Sequence, residues 1–267
     1  MGENGDFART ALITGASSGI GASIARNLAS RGYSTVLTAR RTERLEALAS
    51  EIQKAHRVRT IVVASDLGEA SGASGLIARV ADLGVQVDVL VNNAGFGVYG
   101  PFVDQDPTRV GRMIELNTVA LTTLTHHYVR QMVKRGSGRV LQVSSIGAYQ
   151  PSPLYAVYSA TKSYVLSFSQ ALHHELRGTG VSVSTVCPGL TATEFHDVAV
   201  HKKPKWMDWI TMTADDVAEA GVHAMLRGRA VVTPGLANKL TGLLVKMMPR
   251  SWATAVAGRT MRGGPTP

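Results

Sequence analysis

Seven short runs rich in β-branched and apolar residues recur along the chain: Ala11 to Thr14, Ser34 to Ala39, Thr60 to Ser65, Val87 to Asn92, Gly138 to Ser145, Val181 to Cys187 and Ala230 to Thr233. They are nearly continuous in apolar residues rather than alternating, which is how strands buried on both faces read. Between them, Ile20 to Ala29, Arg41 to Ala55, Ser74 to Leu83, Pro107 to Val133, Tyr158 to Arg177 and Ala214 to Leu226 carry apolar residues at helical spacing. Regular alternation of strand and helix predicts an α/β domain with a parallel sheet covered on both faces. Neither a repeat nor a linker breaks the pattern, so residues 1–267 are expected to form one domain. Two stretches fall outside it. Residues 190–213 follow the sixth strand, at the end of the sheet where ligands bind in such folds, and are expected to form a substrate lid. Residues 236–267 form a C-terminal amphipathic extension, in which Leu236, Leu240, Leu243, Leu244 and Met247 share one helical face with Lys239, Lys246 and Arg250 along its edge.

A length of 267 residues with 45% hydrophobic content suffices for one sizeable core. No run reaches the roughly 18 to 20 apolar residues needed to span a bilayer, and the opening MGENGDFART lacks the basic and apolar regions of a signal peptide, so a cytoplasmic location is expected. The single cysteine, Cys187, fits a reducing compartment and excludes an internal disulfide. His126, His127, His173 and His174 lie within long helices without ligand spacing, and no metal is expected. A net charge of +9 suits an anionic partner of some kind. With no nucleic-acid-binding motif and basic residues spread along the chain, a phosphorylated small molecule fits better than nucleic acid.

The first run leads into Thr14-Gly15-Ala16-Ser17-Ser18-Gly19-Ile20-Gly21 and then directly into a helix. A tight turn is needed at Gly15, close backbone approach to a pyrophosphate at Gly19, and close packing of helix on strand at Gly21. Three residues separate the first two glycines. With Asn92-Asn93-Ala94-Gly95 after the fourth strand, Asn117, Ser145, Tyr158, Lys162 and Pro188-Gly189, that spacing resembles the short-chain dehydrogenase/reductase family over about residues 8 to 235. The resemblance implies a Rossmann-type doubly wound sheet of seven mainly parallel strands in the order 3-2-1-4-5-6-7. It also implies a nicotinamide dinucleotide held by Gly15, Ser17, Ser18, Gly19, Ile20, Gly21, Asn93, Ala94, Gly95, Tyr158, Lys162, Pro188, Gly189 and Thr191. By the same likeness Asp66 and Leu67 flank the adenine, Asn92 lies beneath the adenosine, and Thr193 holds the nicotinamide amide. Asp66 and Asn92 also read simply as turn residues at strand ends.

Charge at the end of the second strand discriminates between the two nicotinamide cofactors. An acidic residue there would repel a ribose 2′-phosphate, whereas arginine can clamp it. The chain has Ala39-Arg40-Arg41, which favours NADP(H) over NAD(H), although NADPH-using relatives often carry a basic residue where this chain has Ser18. Otherwise the two arginines are solvated residues at a helix start, a place where positive charge is slightly unfavourable.

Tyr158 and Lys162 stand four apart on a helix, so phenol and ammonium share a face. A free tyrosine titrates near pH 10, and the nearby lysine cation together with the nicotinamide's own positive charge is expected to bring it down toward a useful range. Tyr158 would then give a proton to a carbonyl oxygen, or take one from an alcohol, with Ser145 donating a hydrogen bond to the same oxygen. Ser144 is expected to point the other way. The resemblance further implies that Lys162 holds the nicotinamide ribose, that Asn117 distorts its helix as part of a proton relay, and that the pro-S hydride is transferred.

Phe96, Val98, Tyr99, Phe102, Tyr149 and Tyr155, with Phe195, Trp206, Met207 and Trp209 in the lid, predict an apolar aromatic pocket for a hydrophobic ketone or aldehyde. Trp206 and Trp209 read equally as anchors for the loop or for a subunit contact. Lys202, Lys203 and Lys205 read as solvated or as contacts for an anionic carrier. The extension suits packing over the pocket or a neighbouring subunit, or resting on an anionic membrane. The resemblance implies a homodimer or homotetramer built through the helices between the fifth and sixth strands. Epimerisation or dehydration, and a non-catalytic dinucleotide-binding role, are the rival functions. The glycine spacing and the length argue against the first, and retention of Ser145, Tyr158 and Lys162 against the second.

Overall fold

The computed structural model describes residues 9–195 and 211–262. Seven strands, β1 (Thr10–Thr14), β2 (Ser34–Thr38), β3 (Thr60–Val62), β4 (Val89–Asn92), β5 (Gly138–Val143), β6 (Val181–Val186) and β7 (Val231–Val232), form one sheet in the order β3-β2-β1-β4-β5-β6-β7. Every pairing is parallel, as near-continuous apolar strands require. The order turns back between β1 and β4, and this switch point is where the crevice opens.

Successive β1 residues point to opposite faces of the sheet. Ala11 and Ile13 pack with α1 (Gly19–Ser30), α2 (Thr42–His56) and α7 (Ala214–Leu226), through Ile24, Leu45 and Val217. Leu12 packs with α3 (Gly72–Asp82), α5 (Leu121–Lys134) and α6 (Ala156–Glu175), through Leu76, Leu124 and Leu172. Leu12, Ile13, Ile24, Leu45, Leu76 and Val217 are fully buried, each contributing about 1.5–3 kcal/mol.

Two expected elements differ. Pro107 to Val133 is not one regular helix. It is α4 (Pro107–Ile114), a π-helical turn (Glu115–Ala120) and α5. Thr118 and Thr122 donate their hydroxyls to the carbonyls of Ile114 and Thr118, at 2.5 and 2.7 Å, where side-chain bonding of this kind bends a helix. The strands also end sooner than their apolar runs, since Val63 to Ser65 continue past β3 without belonging to it.

Beyond β6, Thr191 and Met212 form a parallel bridge that closes the base of the expected lid. Residues 196–210 of it, including Lys202, Lys203, Lys205, Trp206, Met207 and Trp209, lie outside the described residues. The C-terminal extension contains two helices, α8 (Leu236–Met247) and α9 (Arg250–Arg262). Among the described residues, no helix is long and apolar enough to cross a membrane.

Candidate active site

The glycine-rich turn and the Asn-Asn-Ala-Gly segment hold one another. Thr14 Oγ1 accepts from the amides of Asn93 and Ala94, both at 3.0 Å, and donates to Val91 O at 3.2 Å. Asn93 Nδ2 donates to the carbonyls of Thr14 and Gly15 at 2.9 and 3.1 Å. Gly15 adopts φ +66, and a Cβ on Gly21 would stand 2.3 Å from Gly15 O, so neither position admits a side chain. Helix α1 has no side-chain cap and no acidic residue in its first turn. Its N-terminal amides are therefore disposed toward an anion, and the fit to a pyrophosphate is physical. Ile20 packs partly buried behind this turn.

At the end of β2 the arginines divide. Arg41 donates to Ser18 Oγ at 2.8 Å, to Ser17 Oγ at 3.2 Å and to Glu194 Oε2 at 2.8 Å, while Arg44 donates to Glu194 Oε1 at 2.5 Å. These arginines hold the Glu194 carboxyl down at about 2. Arg40 instead lies 4.0 Å from Asp66, whose carboxylate accepts from Arg112 at 2.6 Å and from the amide of Gly68 at 2.9 Å. Asp66 thus acts as a strand-end turn residue, with Leu67 buried beside it. Asn92 is buried and donates to Thr125 Oγ1 at 2.9 Å, which ties the end of β4 to α5. Glu194, Arg44 and Arg112 escaped the sequence analysis.

The expected catalytic residues converge where β5, the π-helical turn and α6 meet. Helix α6 begins at Ala156, so Tyr158 and Lys162 occupy its first two turns. Lys162 is buried and donates from Nζ to Val143 O at 2.9 Å. Ser145 stands beside Tyr158, close enough to lower its phenol, and accepts from the Gly147 amide at 3.1 Å. Ser144 turns away as expected and donates to Lys162 O at 2.8 Å, fixing α6 to β5. The Asn117 side chain donates to Phe96 O at 3.0 Å and to Thr161 Oγ1 at 3.1 Å, and it accepts from Phe96 N at 3.2 Å. It ties the distorted helix to the segment after β4.

The ionisation of Tyr158 differs from expectation. Part of its ring stays open to the cleft, yet the protein packed around it raises the phenol to about 12, against a smaller lowering from Ser145. Burial also brings Lys162 down to about 8. The lysine Nζ stands 5.9 Å from the Tyr158 ring centre. Desolvation outweighs that cation because both groups leave water together.

Pro188 O accepts from Ile146 N at 2.9 Å, so the segment after β6 is fastened beside Ser145. Thr191 Oγ1 donates to Gly189 O at 3.1 Å, and Thr193 packs on Gly19. This brings Thr193, Glu194 and Phe195 over the glycine-rich turn. Rings line the other side: Tyr99 to Tyr155 at 5.1 Å, Tyr155 to Tyr158 at 5.7 Å and Tyr158 to Phe195 at 5.2 Å between centres. Phe102 does not join them; it stands exposed on a 3₁₀ turn (Phe102–Asp104). Tyr149 hydrogen-bonds with Thr233 at 2.8 Å and lies under Lys246.

A family profile described as "short chain dehydrogenase" matches residues 9–204. The chain is 39% identical over 189 residues to a short chain dehydrogenase of Pseudocercospora fijiensis, a match covering 70% of this chain and 60% of that relative. It is 35% identical to sulfoacetaldehyde reductase 2 of Chromohalobacter salexigens, covering 78% of this chain and 84% of the relative. Among solved structures, it is similar to a short-chain dehydrogenase from Sphingobium yanoikuyae in complex with NADPH, with 33% identity and a TM-score of 0.80, covering 90% of this chain and 93% of the other.

Proposed function

Given that this chain belongs to the short-chain dehydrogenase/reductase family, and is thus an NAD(P)-dependent oxidoreductase, we propose that it reduces a hydrophobic ketone or aldehyde with NADPH. The observation that carries the reading is the placing of Ser145 beside Tyr158, with Lys162 one helical turn further along α6 and fixed on Val143 O. A carbonyl oxygen seated between the two hydroxyls takes the Tyr158 proton and is stabilised by the Ser145 donor as negative charge develops. A dihydronicotinamide held beside Tyr158 and Lys162 would supply the hydride for the carbonyl carbon. Burial raises the phenol, so Tyr158 stands protonated at neutral pH and ready to donate. Lys162, fixed on Val143 O, is placed to hold the nicotinamide ribose and to reload the phenol. Gly15, Gly19 and Gly21 with the open α1 terminus take the pyrophosphate.

The preference for NADPH is supported by cationic charge without a carboxylate at Ala39. Arg41 and Arg44 lie together beside Ser17 and Ser18, where a 2′-phosphate is expected. A hydrophobic substrate is supported by the rings of Tyr99, Tyr155 and Phe195 around Tyr158. The protein works in the cytoplasm as a homodimer or homotetramer, for which the exposed Ile114 and Val119 beside Tyr164 of α6 supply an apolar face. Direct binding of NADPH and NADH to wild type and Arg41→Ala tests the cofactor reading. NADPH should bind about tenfold or more tightly, with the margin lost in the variant. Equal binding of the two cofactors to wild type contradicts it.

A further inference from the structure

Helix α8 carries its apolar stripe on the side away from the protein. The positions facing inward are Asn238, whose Nδ2 donates to Pro234 O at 2.8 Å, and Gly242, which rests on the Tyr149 ring. Outward face Leu236 and Met247, 83% and 77% exposed, with Leu240, Leu243 and Leu244 between them. Helix α9 repeats the arrangement. Ala253, Ala257 and Gly258 face the protein, the last against Pro153, and Trp252 and Val256 stand exposed. A helix that only covered a core would be turned the other way. Two successive helices carry the same inversion, and apolar side chains left open in this way favour a cover in water.

Charge selects the cover. No acidic residue follows Glu219, while Lys239, Lys246, Arg250 and Arg259 are exposed on these two helices. A second copy meeting this face by two-fold symmetry would bring cations against cations, with no carboxylate in either segment to separate them. A sheet of phosphate headgroups over acyl chains satisfies both features at once, with Trp252 at the boundary favoured by indole. We propose that α8 and α9 form a docking face for an anionic phospholipid bilayer, on which the protein rests without crossing it. The face adjoins the substrate side of the cleft, because Tyr149 lies beneath Gly242 and Tyr99 donates to Met261 O of α9 at 2.9 Å. An apolar substrate dissolved in the bilayer would then enter next to Tyr155 and Tyr158. Docking itself does not depend on which carbonyl is reduced.

The full-length protein should be sedimented with vesicles of phosphatidylcholine alone and of phosphatidylcholine mixed with phosphatidylglycerol. Binding is expected to the mixed vesicles at least about tenfold more strongly, to weaken in high salt, and to shift Trp252 emission to the blue. Leu240→Glu/Leu244→Glu should lose it, and so should Lys239→Glu/Arg250→Glu, both with wild-type circular dichroism and cofactor binding. Sedimentation with neither vesicle, or equally with both, overturns the proposal. It is also overturned if Leu240→Glu/Leu244→Glu lowers the particle mass by light scattering while the wild type ignores vesicles, since the face is then a subunit contact.

Discussion

Lys162 Nζ donates to the carbonyl oxygen of Val143 at 2.9 Å, so the ammonium beneath the candidate proton donor is fastened to the end of β5. Burial lowers this lysine from its ordinary 10.5 to about 8, which makes its ionised form the costly one in the folded chain. That cost is fully present below about pH 8 and disappears above the unfolded value, so wild-type stability gains from this group as pH rises. Tyr158, raised from 10.0 to about 12, acts in the opposite sense only above pH 10. Between about pH 8 and 10 the melting temperature of wild type should rise relative to Lys162→Met. Parallel melting profiles of the two proteins over that window contradict the assignment.

Thr14 Oγ1 is the acceptor for two main-chain amides, of Asn93 and Ala94, and is itself almost wholly buried. Thr14→Val keeps the shape and strands both donors, at a cost of about 2–4 kcal/mol, whereas Thr14→Ser should retain most of the stability. Urea unfolding of the three proteins measures this. A valine variant within about 0.5 kcal/mol of wild type shows that the two segments are held by something else.

Gly21→Ala tests the turn itself. A Cβ 2.3 Å from Gly15 O and 2.4 Å from Asn93 Nδ2 forces the Gly15 backbone to move as well as the Asn93 side chain. Nicotinamide dinucleotide binding should weaken by roughly ten- to a hundredfold, on the scale of overpacking. Calorimetric titration showing unchanged affinity would mean that the turn does not cradle the pyrophosphate.

Glu194 engages the two arginines nearest Ser17 and Ser18. With its carboxyl held at about 2, it stays ionised across the working range of pH and competes with any second anion for the same guanidinium groups. Glu194→Gln should tighten NADPH by about three- to fivefold, the scale of a half-exposed ion pair, and leave NADH nearly unchanged. Weaker NADPH binding in the variant assigns Glu194 to holding the loop closed instead.

The sheet, and the meeting of Ser145, Tyr158 and Lys162 at one site, were legible in the sequence because both depend on local chemistry. A parallel strand buried on both faces shows as a run of Val, Leu and Ile, and the Tyr158 to Lys162 spacing follows from one helical turn. What escaped depends on distant residues meeting. Glu194 reaches Arg41 and Arg44 across some 150 positions, and Arg112 reaches Asp66 across 46. A distortion at Asn117 was legible through the resemblance, whereas the apolar spacing reads as unbroken and only the bonds of Asn117 and Thr118 reveal the π-helical form. The direction of the Tyr158 shift escaped because proximity of a cation is visible in a sequence and burial is not. Phe102 fails as a pocket residue for the same reason, and α9 was lost in an extension whose pattern is legible only up to Pro249.

The central claim is that Tyr158 passes the proton in a hydride-transfer reduction. Turnover of NADPH should be followed at the nicotinamide absorbance with a panel of apolar ketones and aldehydes, for wild type and Tyr158→Phe, alongside cofactor affinity for each. The account predicts turnover by wild type, a loss of about a thousandfold or more in the variant, and cofactor affinity preserved within about threefold. A variant that still reduces the same carbonyls at near the wild-type rate contradicts it.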